Sequence, residues 1–263
     1  MASTTSSSSK PAIIIVHGAW SLPSPFYEPL KQQLEGLGYE CYLPHLRTSG
    51  GDSGDSDVRG QTWEADVKVI LDTAQPLFDR GREVVIVAHS YGGIPAGAAT
   101  SGNGVADRAR EGKPGGFRQI IYVAAFAIPA ADMDLLTVFG GQWPPWADFA
   151  PAYSKNHAIK LKEDAKQVLF SDVQGSPEEL ERYWAGVVSH SQDAFEKPVT
   201  FSAADITIPK SYLVCTQDQC VPGPLQEHLA QSLGFKAEKI DAGHFPFLSQ
   251  PDKCLDILKT MII

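Results

Sequence analysis

The sequence predicts an α/β fold: a mostly parallel sheet of about six strands, flanked by helices and interrupted by an inserted helical cap. Three observations carry this. Short β-branched runs alternate with helical patterns along the chain. One run, VVIVA at 84–88, is apolar throughout, as a strand buried on both faces requires, and turns at once into a small-residue helix, IPAGAAT. The strand signal then lapses between about residues 128 and 209 before it resumes.

Each element has its own signal. Residues 1–10, MASTTSSSSK, are polar, lack the apolar core of a signal peptide and read as a disordered tail. Strands are expected at 13–16, 39–43, 84–88, 119–124, 211–215 and 235–240. Between the second and third, Val67, Ile70, Leu71, Ala74 and Leu77 recur at the spacing of one buried helical stripe. The glycine-rich stretches 50–60 and 101–116 read as solvated surface connections, and the three aspartates of the former miss the calcium-loop spacing. Within 128–209, Trp143, Trp146, Phe149 and Tyr153 stand among prolines. A helix follows, with Ser176 as N-cap, Pro177 at its first position and Glu179 completing a capping box. Leu180, Tyr183, Trp184, Val187 and Val188 form its apolar face. Pro251 opens the last helix, with Leu255, Leu258 and Ile262 inward. The expected organisation is a core from 11–127 and 210–263, with the cap at 128–209 between them.

Composition narrows the function. A chain of 263 residues, 43% hydrophobic, can bury a sizeable core. Its net charge of −9 argues against a nucleic-acid or anionic-membrane partner. No run approaches the ~18 apolar residues of a membrane span. Cys41, Cys215, Cys220 and Cys254 are too scattered for a disulfide framework, and no metal-ligand spacing occurs. The expectation is a cytoplasmic protein with no cofactor or metal, whose partner is a small-molecule substrate.

The chemistry begins at Ala88-His89-Ser90-Tyr91-Gly92, a nucleophile elbow of the form G-x-S-x-G with alanine in place of the first glycine. A serine at so sharp a strand-to-helix turn thrusts its Oγ above the sheet. The N–H groups around it lie at a helix N-terminus, where negative charge is favoured. Serine needs a base, and the base needs a third group to hold it. Of seven histidines, only His228 and His244 come late enough in the chain. His228 falls in a helix beside its buried stripe, packed or half-exposed, whereas His244, in DAGHFPF, follows the last strand. His190, in the cap, reads as a surface residue on the C-terminal side of the cap helix, with a place lining the pocket as the alternative. Asp218, three residues past the strand end Cys215, is the acid, with Asp132 and Asp134 as the fallback. The oxyanion donors are the N–H groups of Tyr91 and Ala19, the latter in the loop HGAW, where Gly18 lets the backbone bend close.

Together IIIVHGAW, VVIVAHSYGG, YLVCTQDQCVP and DAGHFPFLSQP resemble the α/β-hydrolase superfamily, in the branch of plant-type methylesterases, hydroxynitrile lyases and microbial esterases. The resemblance runs from about Pro11 to the C-terminus. It implies an α/β-hydrolase fold and a cofactor-free triad of Ser90, His244 and Asp218, with Ala19 and Tyr91 as oxyanion donors. The cyanohydrin lyases of this branch have threonine where Gly18 stands and lysine where Phe245 stands, so the esterase pattern fits. The expected activity is hydrolysis of a carboxylic ester, lactone or thioester of a small apolar molecule. The alternatives are a lyase using the same triad and a ligand-binding receptor. Gly18, Trp20, Trp143, Trp146, Trp184 and Phe245 are the candidate substrate-binding residues.

Overall fold

A computed structural model describes residues 10–50 and 56–263. The expected tail and most of the loop expected at 50–60 lie outside the described residues. In chain order the strands are β1 (Ala12–Val16), β2 (Glu40–Tyr42), β3 (Glu83–His89), β4 (Gly116–Val123), β5 (Ala158–Ile159), β6 (His190–Ser191), β7 (Lys210–Cys215) and β8 (Lys236–Ile240). Six of them form one parallel sheet in the order β2-β1-β3-β4-β7-β8. These are the six strands read from the sequence, each within a few residues of its expected position.

Alternation of side chains across the pleat divides the core into two layers. Ala12, Ile14 and Val16 of β1 face the helices Trp63–Asp79, Gly93–Thr100 and Gly223–Ser232. Ile13 and Ile15 face the helices Glu28–Gly36 and Pro251–Met261. All five residues are at most 1% exposed. Burying one isoleucine is worth roughly 1.5–3 kcal/mol, so both faces fix the register. Strand order reverses between β1 and β3. In open α/β sheets the crevice beyond the strand ends at such a point is where ligands bind. The loop after β1 carries HGAW, and the turn after β3 carries Ser90.

The chain between β4 and β7 departs from the helical expectation. Helices Leu135–Val138, Ala165–Leu169, Pro177–Ala185 and Gln192–Glu196 are there. So is an antiparallel ribbon, Ala158 opposite Ser191 and Ile159 opposite His190, too short to leave an alternation pattern. The capping box of Ser176 and Glu179 forms. Its helix stops at Ala185, so Val187 and Val188 lie beyond it, and Leu180, Tyr183 and Trp184 are only half-buried. Two other expectations are corrected. Residues 101–116 are not wholly a loop: Val105–Arg110 is helical because Arg108 turns inward, its guanidinium 4.5 Å from the Phe78 ring centroid. The last helix buries Cys254, Leu258 and Met261, leaving Leu255 and Ile262 half-buried at its edge. Among the described residues no helix is long and apolar enough to cross a membrane, and no cluster of three His, Cys, Asp or Glu side chains is placed to hold a metal. All four cysteines are free and buried.

Candidate active site

β3 ends at His89, and Ser90 follows with φ of 54°, the left-handed region that a non-glycine residue occupies only under local constraint. Close packing supplies the constraint. A Cβ on Gly92 would lie 2.5 Å from the carbonyl oxygen of His17, so the turn presses against the end of β1 with no room to relax. Gly18 is as tight, since a Cβ there would stand 2.8 Å from Ser90 Cβ.

The resulting geometry brings three distant side chains together. Ser90 Oγ lies 3.1 Å from His244 Nε2, and His244 Nδ1 lies 2.8 Å from Asp218 Oδ2. Because the carboxylate only accepts, Nδ1 carries the imidazole proton and Nε2 faces the serine hydroxyl as an acceptor. Asp218 is held in turn. Its Oδ1 accepts from Cys220 N and Val221 N at 2.8 and 3.0 Å, and its Oδ2 accepts from Gln226 Nε2 at 2.9 Å. All three residues are buried. Burial by itself lowers the pKa of His244, but the charge and hydrogen bond of Asp218, with Cys220 beside it, reverse this and leave it well above 6.5.

The loop after β1 places Ala19 beside Ser90. The Gly18 carbonyl accepts from His17 Nδ1 at 2.9 Å and Ser21 Oγ at 3.1 Å. A trans peptide is planar, so anchoring that oxygen fixes the opposite direction for the Ala19 N–H. Ala19 N–H meets no backbone acceptor among the described residues, and Tyr91 N–H lies in the first turn of the 3-10 helix Ser90–Gly92, where helix N–H groups have no partner within the helix. The Tyr91 hydroxyl donates to Asp66 Oδ2 at 2.8 Å. Asp66 is fully buried on the helix Trp63–Asp79 and also accepts from Thr48 Oγ1 and N. Burial pushes its carboxyl up to about 6 against the pull of those hydrogen bonds.

A narrow, mainly apolar cavity adjoins Ser90, with Ala19, Trp20, Tyr91 and Trp146 among its walls. The other candidate substrate residues stand elsewhere. Gly18 backs the nucleophile. Trp143 lies one layer behind, stacked on the wall residue Phe149 at 4.4 Å, its indole N–H donating to Glu196. Trp184 packs with the opposite layer, under Lys166. Phe245 is core, its ring 4.9 Å from that of His89 and 5.5 Å from that of Phe26. His228 is exposed, because its helix turns Gln226, Leu229 and Ala230 inward. His190, expected at the surface, is completely buried in β6 against Tyr91 and Phe195. Asp134 caps the helix Leu135–Val138 by accepting from Thr137 N and takes no part in the serine–histidine pair. Seven further walls, Phe126, Leu135, Phe139, Pro144, Phe149, Phe195 and Cys220, are not among the candidates the sequence offers. Of these, Cys220 has a signal in its position two residues after Asp218, and Phe149 has one in the aromatic run of the cap.

The sequence model of the alpha/beta hydrolase family matches residues 13–257. The chain belongs to this family. Alpha/beta hydrolase nvfD of Aspergillus novofumigatus is 28% identical over 262 residues, spanning 95% of this chain and 96% of that protein. Methylesterase 7 of Arabidopsis thaliana is 27% identical over 266 residues, spanning 93% and 92%. The solved structure of polyneuridine aldehyde esterase shares the fold at a TM-score of 0.73 and 19% identity, covering 96% of this chain and 99% of that one. This alpha/beta hydrolase is thus an enzyme of the hydrolase type.

Proposed function

We propose that this hydrolase cleaves a carboxylic ester, lactone or thioester of a small apolar molecule through an acyl-enzyme on Ser90. The observation that supports it most is the buried relay from Asp218 through His244 to Ser90, at 2.8 and 3.1 Å. Ser90 Oγ attacks the carbonyl carbon while His244 Nε2 takes its proton, and Asp218 stabilises the imidazolium. The oxyanion forms against the N–H groups of Ala19 and Tyr91. His244 then gives the proton to the departing alcohol or thiol. It next takes one from water, whose oxygen attacks the acyl carbon, and returns that proton to Ser90 Oγ as the acid departs. The aromatic walls around Ser90 favour an uncharged, apolar substrate, since a charge there would lose its hydration without a partner. Ester-cleaving activity also matches what the names of methylesterase 7 and polyneuridine aldehyde esterase say of those proteins. Phe245, buried among rings, occupies the position after His244 and offers no charge to a departing anion such as cyanide.

The test is Ser90→Ala assayed on p-nitrophenyl esters, with fluorophosphonate labelling and mass spectrometry of the wild type. Turnover is expected to drop on the order of 10⁴–10⁶-fold with the fold intact, and an acyl or phosphonyl adduct to map to Ser90. Undiminished turnover by a folded Ser90→Ala protein would refute the assignment.

A further inference from the structure

Two buried polar side chains that the mechanism does not use connect the three loops of the site. Tyr27, entirely buried just before the helix Glu28–Gly36, accepts from Gly18 N at 2.8 Å through its hydroxyl. The same hydroxyl lies 2.8 Å from His89 Nδ1, and His89 Nε2 lies 2.7 Å from the carbonyl oxygen of His244. With His89 neutral, the proton positions follow from its partners. A carbonyl oxygen only accepts, so His89 Nε2 carries the hydrogen. In the neutral imidazole His89 Nδ1 is therefore an acceptor, and the Tyr27 hydroxyl gives its one proton to it, so Ser21 Oγ, 3.3 Å from that oxygen, can only donate to it. The hydroxyl oxygen stays open to Gly18 N–H. Every bond in the chain points one way, from the loop after β1, through the residue preceding Ser90, to the backbone of His244.

We infer that Tyr27 and His89 are positioning residues that hold Ala19 N–H, Ser90 and His244 in catalytic register. The inference rests on the reading of Ser90 and His244 as nucleophile and base. Gly18 is one residue from Ala19, His89 is one residue from Ser90, and the last link lands on His244 itself. Small displacements of such groups matter, because misplacing a reacting group by about 1 Å can cost ~10²-fold in rate. Burial, and then the neighbouring His244, keep His89 neutral. A second proton on His89 would leave Nδ1 unable to accept from Tyr27 and break the chain in its middle.

Tyr27→Phe keeps the packing of the ring, which lies 5.1 Å from Phe247, and deletes only the hydroxyl. Its kcat on a p-nitrophenyl ester is expected to fall about 10- to 100-fold with KM within about threefold. Fluorophosphonate labelling of Ser90 should slow in parallel. A folded Tyr27→Phe enzyme with kcat and labelling rate within about twofold of wild type overturns the inference. The wild type supplies a second arm that needs no variant to fold. Nitrogen NMR of labelled histidines should show His89 neutral, with its proton on Nε2, at neutral pH and above. A proton on Nδ1 in that range overturns the inference as well. Failure of the wild type to label at all would instead strike the hydrolase reading of Ser90, and the tautomer measurement keeps the two failures apart.

Discussion

Asp218 has each carboxylate oxygen occupied by two donors: Oδ1 by two backbone N–H groups, Oδ2 by Gln226 and His244. That saturation explains why Asp218→Asn should cost more than the loss of one charge. The amide oxygen can keep the backbone donors, but the amide NH₂ would then face His244 Nδ1 and turn the imidazole into the tautomer that cannot accept from Ser90. A fall in kcat of about 10⁴-fold is expected. In the wild type the acid limb of the kcat/KM profile should lie above pH 6.5, because His244 must lose a proton that Asp218 stabilises. In Asp218→Asn the residual limb should move down, since burial alone then acts on the imidazole. A pH–rate titration of both proteins checks this, and an unmoved limb would contradict it. At this scale the three converging side chains were legible because each sits a short distance past a strand end. The aromatic residues were not. Trp146 lines the cavity, whereas Trp184 lies away from it beneath Lys166, and nothing in their sequence neighbours distinguishes them. Tyr27 and His89 stayed hidden because their bond spans 62 positions.

The elbow works as one unit with β1, and its glycines set the distance between them. A methyl at Gly92 would meet the backbone oxygens of His17 and Val16 at 2.5 and 2.7 Å, and backbone cannot rotate out of the way. Gly92→Ala should therefore destabilise the protein by roughly 1–3 kcal/mol and displace the Tyr91 N–H. Urea denaturation and the rate on a chromogenic ester measure the two effects. Unchanged stability would show that β1 and the elbow have slack. The strands and the helix Trp63–Asp79 were legible because long apolar runs and a 3.6-residue stripe survive without knowledge of neighbours. The helix Val105–Arg110 and the ribbon of β5 and β6 were not, being held by the side chain of Arg108 and by pairing across the chain. Gly186 misled differently. It ends its helix against Pro25, so Val187 and Val188 follow an extended path although their spacing continues the helical face.

For the whole molecule, the buried titratable groups set how stability varies with pH. Burial lowers the pKa of His17 from 6.5 to about 3, and takes His89 and His190 well below 6.5. The unfolded chain would protonate these groups first, so their contribution is intact above pH 6.5 and erodes as pH falls toward their folded values. Asp66 runs the other way. Its carboxyl is raised from 3.8 to about 6, so its contribution is full below 3.8 and lost as pH rises through about 6. The raised His244 acts above pH 6.5, outside this window. Three histidines against one carboxyl predict a Tm that falls from pH 6.5 to about 4.5. The fall should be steeper in Asp66→Asn, which lacks the opposing group. Thermal melts across that range decide it, and parallel curves would remove Asp66 from the account. The segment between β4 and β7 also bears on how the molecule can be rebuilt. Val188 N donates to Trp20 O, Gly50 N to Ser189 O, and Ser191 N to Thr48 O. Exchanging that segment for a relative's is thus not a matter of swapping a lid. Any chimera must import matching versions of the two loops that contain Trp20 and Thr48, or its new roof will arrive without hinges to hang on.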